Sequence, residues 1–422
     1  MHGFFDHSNG RDMSQACLRN FNDFMKKQIK NNVWWIGKNH WDLREFHGSE
    51  YKTTKGSSYN SYLIQEEKVC IIDSVYEPFS SEFVKNLKSE IDLNAIDFLV
   101  VLHAEPDHSG ALSALLDEIP GTPVYCSENG IKSLKGLYHH EDWNLIPVKT
   151  GDRVSVGNGK ELVFIQAAMI HWPDSMFCYM TGDNILFSND AFGQHYCSEL
   201  LFNDLVDQGE LWNEAYKYYA NIITPFGHLV ARKLEEIKEM NVPVDIICTS
   251  HGVCWRDNPQ QILDKYAEFA AGYQENQISI IYDTMYHGTQ MLAESIVQGI
   301  CIGDPTVNVK IFSAANTDIS DLILEIFKSK AIMIGSPTVH NGVLYTIAGL
   351  LEFINGMKFK NKKAASFGAY GWRDLSSKLI GNKLKEAGFE MIMEPISANW
   401  RPDSSLLEHA VEYGKEFAER SK

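Results

Sequence analysis

The sequence predicts two α/β domains in series, the first sheet-rich, the second a doubly wound parallel sheet. Three observations carry this. The chain has 422 residues, more than one typical core accommodates. From Val33 to about Ala270, short apolar runs alternate with turns, as half-buried and buried strands do. After Gln277 the rhythm becomes a strict alternation of strand and helix patterns, which requires parallel strands joined by crossover helices on both faces.

Taken in order, residues 1–32 form an N-terminal extension in which FNDFMKKQIKNN is helix-like. VWWIG opens the first clear strand and with it a domain over 33–275. NSYLI, VCIID, DFLVVL, PVYCS, ELVFIQAAMI, NILFSND and VDIICTSH are its further strand candidates, with amphipathic segments such as SEFVKNLKSEI between them. The second domain spans 276–422. ISIIYDT, TVNVKIF, KAIMIGS, KAASFG and EMIMEPI read as five strands. MLAESIVQGI, DLILEIFKSK, GVLYTIAGLLEFI and LSSKLIGNKLKEAG read as the helices between and after them, and LLEHAVEYGKEFAER as the last helix. No repeat and no low-complexity segment appears.

Composition narrows the function classes. The formal net charge of −17 disfavours nucleic acid as a partner, since phosphates demand clustered Lys and Arg. No apolar run approaches the ~20 residues of a membrane span. MHGFFDHSNGRDM has neither a basic start nor an apolar centre, so no secretory signal is expected and the reading is cytoplasmic. The eight cysteines contain no C-x-x-C pair, which excludes a zinc ribbon or iron–sulfur motif and leaves most of them as small core residues.

Four apolar strands each run into a residue able to bind metal. DFLVVL leads to His103, followed by Glu105, Asp107 and His108 in HAEPDHSG. ELVFIQAAMI leads to His171, NILFSN to Asp190, and VDIICTS to His251. One such residue alone is ordinarily a turn cap. Their joint occurrence at separate strand ends is how a rigid scaffold presents a preorganised site. Seven candidate ligands exceed what one catalytic metal uses and suit two metals sharing a carboxylate. Imidazole and carboxylate without thiolate fits iron or manganese better than structural zinc.

The HxHxDH pattern with a later His, Asp and His resembles the metallo-β-lactamase superfamily, mostly zinc hydrolases, but Glu105 stands where those have their second His. With HWPDSM, LFSNDAFGQH, TSHG, GSSYNSYL and EFHG, the chain is similar to the flavodiiron proteins. The resemblance covers roughly residues 33–422. It implies a metallo-β-lactamase-like αββα sandwich followed by a flavodoxin-like five-stranded sheet of order 2-1-3-4-5. It also implies a di-iron centre, with His103, Glu105 and His171 on one iron, Asp107, His108 and His251 on the other, and Asp190 bridging.

In the second domain, YDTMYHGTQM joins the first strand to its helix. The hydroxyls of Thr284 and Thr289 bracket a loop able to hold a phosphate at a helix N-terminus. Neither a Walker lysine nor G-x-G-x-x-G is present, so FMN rather than a nucleoside triphosphate or dinucleotide is expected. GSPTVHNG and SFGAYGW follow the third and fourth strands on the same side of the sheet. By the resemblance, Thr284, Met285, Tyr286, His287, Gly288 and Thr289 hold the phosphate. Ser336, Pro337, Thr338, Val339, Asn341 and Gly342 line one side of the flavin, and Ser366, Phe367, Gly368, Tyr370, Gly371 and Trp372 the other. Arg373 and Asp374 depart from the small residues common in the family there.

His47 and Tyr196 lie in flanking motifs and are read as residues that orient ligands or supply a proton. Trp34, Trp35 and Trp172 are assigned to the core. The resemblance implies an oxidoreductase passing electrons through FMN to two irons that reduce dioxygen to water, nitric oxide to nitrous oxide, or both. It implies a homo-oligomer, a head-to-tail dimer or a dimer of dimers. No rubredoxin-like C-x-x-C segment follows, so a separate donor is expected: rubredoxin, a flavoprotein reductase or a reduced deazaflavin. Two alternatives stand at this point: a dinuclear zinc hydrolase fused to a flavodoxin domain, and a flavin electron carrier or redox sensor without catalysis.

Overall fold

The computed structural model describes residues 26–46 and 48–422. The first domain contains two sheets. One has seven strands in chain order, Lys27–Lys30, Val33–Trp35, Tyr62–Gln65, Val69–Ile72, Ile96–Val100, Val124–Ser127 and Leu145–Val148; the other has five, Arg153–Gly157, Lys160–Gln166, Met176–Met180, Ile185–Asn189 and Ile246–Thr249. Period-two alternation decides which side chains go where. Tyr62, Ile64, Cys70, Ile72, Phe98 and Val100 point inward and meet Phe164, Cys178, Phe187 and Cys248 of the other sheet. Their neighbours Leu63, Ile71, Leu99 and Val101 point outward and pack under the helices Ser80–Glu90 and Leu112–Glu118. Helices Gln208–Tyr218, Gly227–Glu239 and Gln260–Ala270 cover the second sheet. This is the αββα layering expected.

One element differs from expectation. Lys27–Lys30, assigned to a helix-like extension, is a strand pairing antiparallel with Val33–Trp35. Ile29 is buried in the inter-sheet core, and the Lys27 ammonium sits 5.1 Å over the Trp35 ring and 2.8 Å from Glu199. These contacts over-rule a local helical pattern, a normal outcome when tertiary burial competes with propensity. The remainder of the proposed extension, residues 1–25, lies outside the described residues.

The second domain has the order Asn308–Ser313, Glu275–Tyr282, Ser329–Pro337, Lys363–Tyr370, Glu390–Met391, all parallel, with Ile396–Asn399 also pairing with Lys363–Tyr370. That is order 2-1-3-4-5 with the fifth strand in two pieces, as EMIMEPI carries Pro395, which cannot donate to a ladder. Apolar side chains fill both faces. One of these clusters runs from Ile281, Ile323 and Ile332 of this domain through Tyr219, Tyr266 and Phe269 into the second sheet of the first domain. No helix among the described residues is long and apolar enough to cross a membrane.

Candidate functional site

The strand ends converge as predicted. His103, Glu105, Asp107, His108, Asp190 and His251 are buried, and His171 is half-buried. Two groups form: His103, His171 and Asp190, and Asp107, His108 and His251. Within each, potential ligand atoms lie within 4.8 Å of one another. Glu105 Oε2 joins the first, 3.1 Å from His103 Nε2 and 3.6 Å from His171 Nε2. In the second, Asp107 Oδ2 is 3.1 Å from His251 Nε2. Asp190 faces both. Its Oδ2 is 3.8 Å from His103 Nε2 and 3.6 Å from His171 Nε2, while its Oδ1 is 3.2 Å from His108 Nε2 and 3.4 Å from His251 Nε2.

Further residues hold these ligands in place, and sequence reading passed over them. Asp174 of HWPD bonds His103 Nδ1 at 3.0 Å and the Ala104 amide at 2.7 Å. The Ser58 carbonyl takes His251 Nδ1 at 2.7 Å. Asp73, at the end of VCIID, faces His108 Nδ1 at 3.9 Å and accepts the Leu102 amide at 2.7 Å. Tyr218 donates its hydroxyl to Asp190 Oδ1 at 2.9 Å. Occupying Nδ1 from behind turns Nε2 of His103 and His251 to the centre, the arrangement by which carboxylates and carbonyls orient metal-bound histidines. Trp172, assigned to the core, is half-buried and stands edge-on to His103 with ring centroids 5.1 Å apart. Gly252 follows His251 at φ +77°, where a Cβ would strike Gln194 Oε1; only glycine makes this turn.

The charges are mutually dependent. Burial alone would lower the His103 imidazole, but bonds to Asp174 and Glu105 outweigh it and lift the group to about 9. His251 rises to about 9 in the same way, burial being outweighed by Asp107 and Asp190. Burial would raise Asp190, yet His108 and His251 hold it well below the carboxylate range. Asp107 Oδ1, Asp190 Oδ2 and both His108 ring nitrogens are buried and make no hydrogen bond. Such groups are rarely left unmatched. Hard, mixed nitrogen and oxygen donors turned to a common space fit a pair of divalent cations.

His47 lies outside the described residues. Tyr196 is brought to the rim rather than to a ligand: its hydroxyl donates to Glu210 at 3.2 Å, and burial raises it to about 12. Beside it His195 bonds Ser57 Oγ at 2.8 Å and lies 5.3 Å, ring to ring, from His251.

At the other end of the chain, the loop 283–287 leads into the helix Gly288–Gly303. The Thr284 and Thr289 hydroxyls are buried without hydrogen-bond partners, which fits a phosphate. Met285, Tyr286 and Trp372 are exposed. Thr338 Oγ1 instead ties its loop to the start of the helix Ser376–Glu386, accepting the Leu375 and Ser376 amides. Ser336 Oγ accepts the Leu344 amide. Ser366 and Phe367 belong to the strand Lys363–Tyr370; Ser366 Oγ lies beside Gly381, and the Phe367 ring is fully buried against Gly335. Asp374 accepts the Ser377 hydroxyl at 3.0 Å and that of Ser397 at 2.5 Å, so it fastens a helix start.

A family model described as ODP family beta lactamase matches residues 58–252, and one described as flavodoxin matches residues 280–414. The anaerobic nitric oxide reductase flavorubredoxin of Escherichia coli is 53% identical over 390 residues, 92% of this chain and 81% of its own length. The rubredoxin oxygen:oxidoreductase from the anaerobe Desulfovibrio gigas superposes with a TM-score of 0.91 at 31% identity, covering 94% of this chain and 98% of its own. The flavodiiron protein from Giardia intestinalis does so with a TM-score of 0.89 at 30% identity, covering 94% and 97%.

Proposed function

Because this chain belongs to the flavodiiron protein family, an oxidoreductase family carrying FMN and two irons, we propose that it reduces nitric oxide to nitrous oxide. The observation that carries the two-iron reading is Asp190, which turns one carboxylate oxygen to each ligand group. Nitric oxide is favoured as substrate by the 53% identity to a protein named for that activity. Dioxygen is the second reading, supported by the likeness to an oxygen:oxidoreductase.

When bound, FMN supplies single-electron exchange and the irons supply the place where a diatomic molecule is held and reduced. The protein's part is positional. His103, Glu105 and His171 would hold one metal; Asp107, His108 and His251 would hold the other. Asp174 and the Ser58 carbonyl fix the imidazoles that face them. The Thr284 and Thr289 hydroxyls, with the first amides of the helix Gly288–Gly303, would hold the FMN phosphate. Tyr370 and Trp372 would flank the ring, and Tyr196 would stand between the centre and solvent. The Glu105 carboxylate adds negative charge that favours the oxidised metal, and this separates the reading from zinc hydrolysis.

A separate rubredoxin or flavoprotein is the proposed donor, as the name of the Desulfovibrio relative indicates for that protein. A head-to-tail dimer is the proposed assembly. Exposed Tyr286, Tyr345, Trp372 and Trp400 around the flavin loops support it, since such aromatic rims are typical of covered faces. Anaerobic stopped-flow tests the function: the reduced protein is mixed separately with nitric oxide and dioxygen, and flavin reoxidation is followed. Faster reoxidation by nitric oxide is expected. Two zincs, no iron and ester hydrolysis would reject the reading, and full activity in a sedimenting monomer would reject the dimer.

A further inference from the structure

The helix Gln208–Tyr218 carries Glu210, Glu214 and Tyr218 at every fourth position, which stacks them along one side, each roughly 6 Å from the next. The row begins in solvent. The Glu210 side chain is 44% exposed and meets Lys55 at 2.5 Å as well as the Tyr196 hydroxyl at 3.2 Å. It ends on a ligand, where Tyr218 donates to Asp190 at 2.9 Å. Between them Glu214 is 4% exposed. Its Oε2 makes no hydrogen bond, and its Oε1 receives the Asn213 amide at a long 3.4 Å. A buried carboxyl with so little to hold it costs stability, and its surroundings are themselves proton carriers. Among charged groups, Glu214 acts most strongly on the Tyr51 hydroxyl, which is likewise buried and unbonded. The Tyr51 ring stands edge-on to His195 at 5.0 Å.

We infer that Glu214 relays protons from the Glu210 surface to the Tyr218–Asp190 contact at the metal centre. The inference rests on the function proposed above. Reducing dioxygen to water, or nitric oxide to nitrous oxide and water, consumes one proton for each electron. Electrons arrive from the donor through FMN, so a buried centre needs a separate route for protons, which here start from solvent at Glu210. The groups facing Glu214 are Lys217 and Glu210 on its own helix, Tyr51 from the short strand Tyr51–Lys52, Lys55 and Tyr196 from the adjoining loops, and Asp321 from the helix Ile319–Lys328. Burial raises the Glu214 carboxyl above its ordinary range, and Lys217 only partly opposes this. It can therefore take up and give back a proton closer to neutrality than a surface glutamate can.

The test uses Glu214→Gln, Glu214→Asp and Glu210→Gln in the iron- and FMN-loaded protein. In the stopped-flow assay, E214Q is expected to reoxidise at least about tenfold more slowly than wild type, below the full effect of a well-placed proton donor. Its solvent deuterium isotope effect should grow, and E214D should recover part of the rate. E210Q, an exposed change that leaves the fold alone, should shift the pH–rate profile with a smaller loss. Iron content, FMN content and the rate of flavin reduction by the donor should not move. E214Q with both irons, wild-type rate and wild-type isotope effect overturns the relay. So does iron loss in E214Q that E214D does not repair, since Glu214 is then a support for the site. If wild type itself consumes neither gas, the proposed function fails instead.

Discussion

At the metal centre, His103, His251 and Asp190 are held from behind by a second polar group, and the candidate ligands lie largely in the interior. At the flavin end, the loops bond chiefly to themselves, and Tyr286 and Trp372 are each 85% exposed. The contrast follows from the charge each site must hold. Two cations and three carboxylates can be buried only if every partner is in place beforehand. A planar ring and one phosphate need a helix end, two hydroxyls and room. The first site is therefore rigid and intolerant; the second is open enough to meet another molecule.

Removing the element shared by the two metal groups should break the contrast most severely. Asp190→Asn is expected to leave the fold intact but cut turnover by at least about a hundredfold, with both irons lost or labile. Iron analysis and circular dichroism check this, and a variant that keeps two irons would demote Asp190 from bridge to neighbour. Asp174→Asn touches one ligand, His103, and the Ala104 amide beside it, so iron affinity should fall by about 10- to 100-fold, with FMN affinity unchanged. Competition with a chelator measures it.

Acidity separates the sites next. In the metal-free protein, His103 and His251 titrate near 9, above the unfolded value of about 6.5. Between those limits the fold binds protons that the unfolded chain does not. Their stabilisation is thus complete below about 6.5 and is lost as pH rises through about 9. Iron, which displaces those protons, should bind more tightly over the same interval, while FMN affinity stays nearly flat. Denaturant midpoints with and without iron at several pH values give the answer. Trp372→Ala should have the smallest effect, a loss of FMN affinity of roughly fivefold, or ~1 kcal/mol, for one exposed stacking ring, with iron content untouched. Fluorescence titration with FMN reads it directly.

How much of this was legible beforehand depends on chain distance. The ligands could be read because each ends an apolar strand and four of them crowd one turn. That Asp190 presents a different oxygen to each group could not, since it depends on where three other strands place their histidines. Asp174 and Asp73 were visible as residues but not as partners. Tyr218 and Glu214 had no signal, because an amphipathic helix with glutamates at every fourth position looks like any solvated surface helix. The strand Lys27–Lys30 was hidden for a related reason: its evidence is Trp35 and Glu199, neither in its own segment.

The apolar cluster that crosses the domain junction has a consequence for modularity. Tyr218, which holds Asp190, precedes a π-helical turn, Tyr219–Ile223. There Asn221 bonds the Ser320 carbonyl at 3.0 Å, and Lys217 pairs with Asp321 at 2.6 Å. The residue that steadies the shared carboxylate is thus fastened to the flavin-bearing half of its own chain. A flavodoxin domain from elsewhere could not be grafted at residue 275 as an interchangeable part, because it would have to reproduce the wall against which the metal centre is set.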